Sequence, residues 1–416
     1  MITKKHTFLI LTILYLSLLT GFYFNEDLLG GAYDDYRGLY YVSENFKNNF
    51  VITFLNYDEL GHRQSPIFYI LRSFFGDIEI IQRLIFLHIF LLIPVYFYKS
   101  LKIKYKNINK NHLKLIASLI LIFPTFRSYS IWPDPHLFGI LFFIVSIYFF
   151  LKFKNEKNIL ENAIFCSISL ALSAYMSPNF GIFIIYFFYE FLIKFNISKK
   201  IIKIALLNIL LSLPFFIYLF YFKVNFIFNK IGWDIGDNFY SIENISNKIL
   251  IISSIFFFYL FPLLNYKAIK QNLILKKIYN FKFILLIILF LFTCYLFDFT
   301  SAYNLTNSGG GFFYNISNFV FNNNFLFYII CFLAILFIGK ACFDYQKNTL
   351  LFFCLILSNP QVTIWQANFS PTLFFLILLL FSLNLINKNF NLRRVFFIYL
   401  YFISYVVINF AKNILI

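Results

Sequence analysis

Charge is scarce in this chain. Only 13% of its residues are charged, 61% are hydrophobic, and the mean hydropathy is +0.76. That balance excludes an ordinary soluble globular protein and points to a chain that crosses a membrane many times. Acids are scarcer than bases, 18 against 35. In a soluble protein a net charge of +17 would point to nucleic acid, but here most lysines fall in short stretches between apolar segments, where they set topology. Nucleic acid is therefore not an expected partner. The five cysteines (Cys166, Cys294, Cys331, Cys342 and Cys354) lie in or beside apolar runs without metal-ligand spacing, which argues against a disulfide framework and a zinc site. No small-residue cleavage site follows the apolar run after Lys4 and Lys5, so the first segment reads as a retained helix. No repeat recurs at a fixed period and no soluble domain separates out. Residues 1–416 are thus expected to form a single integral membrane domain. The 64 Phe and 30 Tyr match the bias of an AT-rich genome and carry no functional weight.

Apolar segments of spanning length recur at 7–24, 79–98, 113–126, 131–151, 161–177, 178–195, 201–222, 248–265, 281–297, 324–341, 348–358, 370–386 and 395–411. They predict an all-α polytopic membrane protein with about 13 transmembrane helices. With the N-terminus inside, alternation puts Lys99, Lys102, Lys152, Lys154, Lys194, Lys199 and Lys200 in the cytosol and most acids outside, as the positive-inside rule requires. The expected location is a bacterial inner membrane, with the first loop facing the periplasm or exterior.

That loop, residues 25–78, is where the acids gather. Glu26, Asp27, Asp34, Asp35, Glu44, Asp58 and Glu59 are seven of the chain's 18 carboxylates. Ionised groups beside a bilayer are costly unless they face water or a partner, so the loop is a site candidate. From Asp34 onward Tyr36, Leu39, Tyr40 and Phe46 recur at helical spacing, and Asp34 shares a face with Arg37. Ser65 and Pro66 start a second helix that Gly76 can end. Two short interfacial helices then roof a cavity at the membrane boundary.

Asp34 is the leading candidate for a general base toward an acceptor hydroxyl, and Asp35 either shares that work or caps the helix. Arg37, His62, Arg63, Arg83 and Arg127 are external cations, which the charge rule disfavours. They fit a lipid phosphate, which Arg binds bidentately, or salt bridges to the neighbouring acids. Asp134, between two prolines at the head of a helix, reads as a cap or a substrate contact. Glu190 is expected to pair with Lys194 one turn away. Residues Phe123–Pro135 read as a tight external turn, and Gly309, Gly310 and Gly311 as a mobile loop. Trp233, Asp234 and Asp237 mark another external segment, and Trp365 and Gln366 a late polar one.

Taken in order, four groups of residues carry a resemblance. They are Asp34, Asp35 and Arg37 in YDDYRGLYY, then Gln64-Ser65-Pro66-Ile67-Phe68-Tyr69, then Gly76, Asp77, Glu79 and Arg83, then Pro133-Asp134. This order resembles the GT-C superfamily of membrane glycosyltransferases, in the branch of protein O-mannosyltransferases and lipid A aminoarabinose transferases. That family has an acidic pair followed by Arg and Tyr, then His-Pro-Pro-Leu-Tyr-Tyr, then Gly-Asp-x-Glu…Arg, then Pro-Asp. The likeness covers about the first 200 residues. It departs at Gln64, where the family has His (His62 is close), and at Trp365–Phe369, where the family has a Glu-Arg-Tyr type motif.

The resemblance implies a GT-C-like fold and an inverting transferase. The enzyme would move a sugar from a polyprenyl-phosphate donor to a hydroxyl on a lipid, glycan or protein. Asp34 and Asp35 would be catalytic, and Arg37, His62, Gln64, Arg83, Arg127 and Asp134 would bind substrate. The chemistry agrees with the topology. Nucleotide sugars are cytosolic, so an external site needs a lipid-borne donor, and a phosphate leaving group needs cations more than a general acid. No cofactor is called for; the acids permit a divalent metal, though their spacing does not demand one. The rivals are a polysaccharide polymerase or ligase of another fold, and a transporter or flippase of lipid-linked sugars. A transporter would place ionisable or broken-helix sites near the midplane, with internal repeats.

Overall fold

Inside a bilayer no water is available to the backbone, so an apolar run must pair its N–H and C=O groups within itself as a helix. The computed structural model follows that rule. It describes residues 4–62, 64–75, 78–155, 158–225, 242–265, 281–299, 309–359, 363–384, 386 and 390–415. Arg63, Gly76, Asp77, Trp233, Asp234 and Asp237 lie outside them. The described residues are helical almost throughout, with no strand beyond one isolated bridge between Leu264 and Ile386.

Among the described residues nine helices are long and apolar enough to cross a membrane: Lys4–Tyr23, Glu79–Lys104, Pro135–Asn155, Ile159–Met176, Pro178–Phe195, Lys199–Tyr221, Asn244–Leu263, Phe325–Asp344 and Leu392–Ala411. The protein is therefore an all-α multi-pass membrane protein. A further apolar helix pair is bent by 63° where Lys110–Ile122 meets Pro124–Ile131. Pro124 has no N–H to give and drives the preceding Phe123 to an extended ψ of 129°. The stretch expected as a tight external turn is thus a short buried helix, Pro124–Ile131, with the turn confined to residues 132–134. The other three expected spans are helical but shorter: Phe281–Tyr295, Gln346–Ser358 and Gln366–Leu380.

The chain falls into two compact units, Met1–Gly232 with Phe390–Ile416, and Trp233–Asn389. In the first unit we label α1 (Lys4–Tyr23), α2 (Ala32–Asn48), α3 (Phe50–Leu55), α4 (Ile67–Ser73), α5 (Glu79–Phe90), α6 (Leu92–Lys104), α7 (Lys110–Ser118), α8 (Pro124–Ile131), α9 (Pro135–Asn155), α10 (Ile159–Met176), α11 (Ile184–Phe195) and α12 (Lys199–Phe216). α9 is the most enclosed span of this unit, whereas α12 leaves Leu206, Ile209 and Leu210 exposed, as lipid-facing helices do. Association within lipid rests on close packing and interhelical hydrogen bonds rather than on water expulsion. Accordingly Ser173 on α10 donates to the Gly139 carbonyl of α9 at 2.6 Å, and Phe143 stacks on Phe180 at a 4.8 Å ring separation.

The C-terminal ends of α1, α8 and α10 and the N-terminal ends of α5 and α9 share one end of this unit, together with the first loop. Lysines mark the other end. There Lys154 pairs with Glu190 at 2.9 Å, and Lys194 donates to the carbonyls of Phe153 and Lys154. Glu190 therefore pairs across helices rather than with Lys194 on its own. The lysine one turn away already caps the end of α9, where a cation meets carbonyls left without partners.

In the second unit Asn244–Leu263 is the enclosed span. Gly309, Gly310 and Gly311 are buried, and residues 300–308 of the same loop lie outside the described residues. Their φ values of +86°, +76° and +80° are open to glycine alone at little cost, and they set the start of the helix Gly311–Phe321. The amide of Gly310 donates to the Ile364 carbonyl at 2.9 Å, and that of Phe312 to the side chain of Gln366 at 2.7 Å.

Candidate active site

The site begins with how the first loop is pinned. The Asp27 carboxylate accepts from the backbone N–H groups of Leu29, Gly30 and Tyr33 at 3.0, 3.0 and 3.2 Å. The hydroxyl of Ser128 on α8 accepts from those of Leu28 and Leu29 at 2.9 and 3.2 Å. Amides that would otherwise be orphaned ahead of a helix are thereby satisfied, and α2 is fixed against α8.

The helical period then decides which of the two neighbouring acids faces inward. α2 buries Ala32, Tyr36, Leu39, Val42, Ser43 and Phe46. By helical period Asp35 falls on the flank of that side and Asp34 and Arg37 point away from it, though all three are exposed. Arg37 lies over the Tyr33 ring at 5.7 Å. So Asp34 and Arg37 do share a face, as their spacing predicts, but it is the outer one.

Asp35 is exposed, and its charge is felt by the buried Asp134 at the head of α9. Burial first, then the charges of Asp27 and Asp34, push the Asp35 pKa up to about 6. Burial first, then Asp35, push Asp134 up to about 7, against one N–H bond from His136 that favours its charged form. That bond, 2.6 Å to Oδ1, is also the cap expected at the start of α9. His136 is held in turn by Ser177 at 3.1 Å and by the ring of Phe180. Tyr69 and Tyr129 both lie within electrostatic reach of the two acids.

This pair has a consequence for stability. In the unfolded chain both acids lose their protons near the ordinary carboxylate value of 3.8, whereas the folded state holds them up to about 6 and about 7. Between those limits the folded state binds more protons, so this contribution falls as pH rises through that window. The Asp134→Asn protein should lose much of that slope. Thermal unfolding midpoints in detergent from pH 4 to 8 check this; equal slopes in the two proteins would refute it.

The expected cations divide in use. Arg127 is buried, and all five donors have acceptors: both Glu26 carboxylate oxygens at 2.6 Å, the Ser17 hydroxyl and carbonyl at 3.2 and 3.0 Å, and the Leu121 carbonyl at 3.5 Å. It is a bracket between α1, the loop and α8, with nothing left for a phosphate. Arg83 is buried too. Its guanidinium lies 3.6 Å from the Trp132 ring centroid, donates to the Ile131 carbonyl and the Asn25 side chain at 2.9 Å each, and meets Glu79 at 3.7 Å. It ties the second span to the turn before α9. Gln64 accepts from the Tyr69 hydroxyl at 3.0 Å, and His62 Nδ1 stands 3.5 Å from the same oxygen. Burial holds the His62 pKa below its ordinary value, which favours the neutral ring.

Sequence reasoning missed Arg72. It is 2% exposed on α4, with its guanidinium carbon 4.2 Å from the Tyr36 ring centroid and 4.9 Å from that of Tyr40. Among the described residues Nη1 and Nη2 have no hydrogen-bond partner, nor do the Tyr36 hydroxyl and the Trp132 indole N–H. The signal was present: a lone arginine interrupts the apolar run from Ile67 to Phe75. Tyr69, one turn before Arg72, lies within electrostatic reach of Asp134, Arg72 and Asp35.

The arrangement thus brings Asp35 and Asp134 to one end of the first unit, beside a tyrosine-lined patch of cation and unused donors. Such a site can take a proton from a hydroxyl at the carboxylates and hold negative charge at the arginine. Among the described residues no three His, Cys, Asp or Glu side chains converge to hold a metal ion. The chain matches no protein-family model, no curated protein and no solved structure, and its site is read from its own residues.

Proposed function

We propose that this protein is an inverting glycosyltransferase of the GT-C kind, taking a sugar from a polyprenyl-phosphate donor and passing it to an acceptor hydroxyl. The observation that carries the reading is Asp35, exposed, and Asp134, buried, at the acid-rich end of the first unit, both with pKa values raised above the ordinary carboxylate range. Asp35, the more acidic and more accessible of the two, ionises first and is the base that receives the acceptor's proton. The acceptor oxygen then attacks the anomeric carbon from the side opposite the phosphate, which leaves as a stable anion. Asp134 keeps its proton longer, orients the acceptor beside Asp35, and is itself fixed by the His136 amide. His62 and Gln64 position the Tyr69 hydroxyl at the edge of the same space.

In this reading the short apolar helices Phe281–Tyr295, Gln346–Ser358 and Gln366–Leu380, with the bent pair, complete about 13 crossings. α2 and α4 lie at the interface, and the acid-rich end faces the periplasm or exterior of a bacterial inner membrane. What supports that side is the placement of Lys104, Lys110, Lys152, Lys154, Lys194 and Lys199 at the opposite helix ends. Reporter fusions after Lys106, Lys154 and Lys200 should report cytosol and a fusion near Glu44 the outside. A cytosolic loop would remove the need for a lipid-borne donor. The transfer itself is tested with full-length protein in nanodiscs, given a panel of short-chain polyprenyl-phosphate sugars and envelope extracts as acceptors. The expected result is release of polyprenyl phosphate coupled to a product of inverted anomeric configuration. Retained configuration, or vectorial movement of the intact lipid without cleavage, would sink the proposal.

A further inference from the structure

A guanidinium buried without an acceptor is one of the costlier things a fold can contain. Its hydrogen-bonding capacity is withdrawn from water and nothing replaces it. Arg72 is such a group. The rings of Tyr36 and Tyr40 attract its charge through their π-faces, but a ring face accepts no proper hydrogen bond in place of an oxygen. Burial holds the Arg72 pKa below its ordinary value, only partly offset by Tyr36, Glu79, Tyr40 and Tyr69. The nearby acid on its own side, Glu79, is spoken for by Arg83 and half-exposed.

The groups around Arg72 are also donors in want of an acceptor. The Tyr36 hydroxyl is buried and unbonded, and burial pushes its pKa up to about 12, so it keeps its proton. The Trp132 indole N–H, on the ring 5.4 Å from that of Tyr36, is likewise unbonded. Two guanidinium nitrogens and an indole N–H, with a phenol that keeps its proton to donate, are complementary to a tetrahedral oxyanion with several oxygens. A neutral hydroxyl ligand would leave most of them unmet.

We propose that Arg72, with the Tyr36 hydroxyl and the Trp132 indole, forms an anion subsite that binds a phosphate ester. As an anion subsite it stands on these residues alone; as the place where the donor's phosphate sits and departs, it rests on the transferase reading. Tyr69 lies within electrostatic reach of Arg72 and of both acids, so the subsite and the carboxyls belong to one neighbourhood.

The test measures binding without sugar or acceptor, so it is independent of turnover. Full-length protein in detergent is titrated by calorimetry with farnesyl phosphate, farnesol and inorganic phosphate, as wild type, Arg72→Lys and Arg72→Met. Wild type should bind farnesyl phosphate and not farnesol. Arg72→Met should bind it about 10- to 100-fold more weakly, the value of a lost charge-assisted hydrogen bond. Without ligand, Arg72→Met should unfold at the same or a higher temperature than wild type, because an uncompensated buried charge has gone. Arg72→Lys keeps the charge and loses the fork, so it too should bind more weakly, and it serves alone if Arg72→Met fails to fold. Inorganic phosphate binding as tightly as farnesyl phosphate would assign the site to the free ion, and much weaker binding would assign it to a lipid headgroup; both sustain an anion site. Undiminished affinity in Arg72→Lys and Arg72→Met, or no binding of either phosphate by wild type, overturns it. Normal binding in the Arg72 variants beside abolished transfer in Asp35→Asn would sink the subsite and spare the transferase.

Discussion

Asp35→Asn should slow transfer from a polyprenyl-phosphate sugar by about 100- to 10,000-fold, the usual cost of losing a general base. The amide keeps the shape and can still hydrogen-bond, so insertion and folded yield should stay near wild type. Asp34→Asn, on the exposed face of the same helix, should transfer at close to the wild-type rate. The two residues are adjacent, chemically identical and both exposed; the phase of α2 and the electrostatic link of Asp35 to Asp134 separate them. Asp35 also has to be ionised to act. The rate of the wild-type enzyme should therefore rise with pH through about 6, where burial and the charges of Asp27 and Asp34 have moved its titration. Initial rates with saturating donor from pH 4.5 to 8.5, for all three proteins, decide the matter. A full rate in Asp35→Asn with a collapsed rate in Asp34→Asn would return the base to the outer face and remove Asp134 from the reaction.

The lipid environment explains how much of this could be read beforehand. Where backbone groups have no water, long apolar runs become helices whatever their neighbours, and the positions of the spans follow from composition. Local signals held too: the periodicity from Asp34 gives α2, and Ser65 and Pro66 precede α4, with the Ser65 hydroxyl accepting from the Ile67 amide at 3.3 Å. What could not be read was which face of an element would be turned inward. Tyr33 and Tyr36 pack against Trp132 across a gap of about a hundred positions, and that packing sets the phase of α2. Arg127 looked like a free cation because its acid, Glu26, is 101 residues away. Arg72 was visible as an arginine in an apolar run, but having no partner is a property of the folded surroundings. Pro124 was visible as well. Its effect depends on whether helix resumes after it, and here the Phe123 amide already bonds back to Ile120 while Arg127 restarts the ladder from Phe123.

The largest loss of stability is expected at Arg127. Its side chain is 9% exposed and that of Glu26 20%, and the two meet in a two-pronged pair with both nitrogen–oxygen distances at 2.6 Å. Removing one member of a buried pair leaves the other's charge without compensation, which typically costs about 3–5 kcal/mol. Arg127→Met should therefore lower the unfolding midpoint in detergent steeply and reduce folded yield. Loss of activity should follow the loss of folded protein, because the pair also holds the loop that carries Asp35. The close approach has a backbone requirement: a Cβ at Gly21 would fall inside contact distance of Glu26 and Arg127, so Gly21→Ala should reproduce part of the loss with both charges intact. Adding Glu26→Gln to Arg127→Met should recover part of it, since no charge is then stranded. This cycle separates a bracket from a ligand contact. If Arg127→Met unfolds at the wild-type temperature but raises the donor KM, the arginine belongs to the substrate and the Glu26 pair contributes nothing net. If stability falls and the surviving folded fraction keeps the wild-type KM, Arg127 acts only by holding the first loop to α1 and α8.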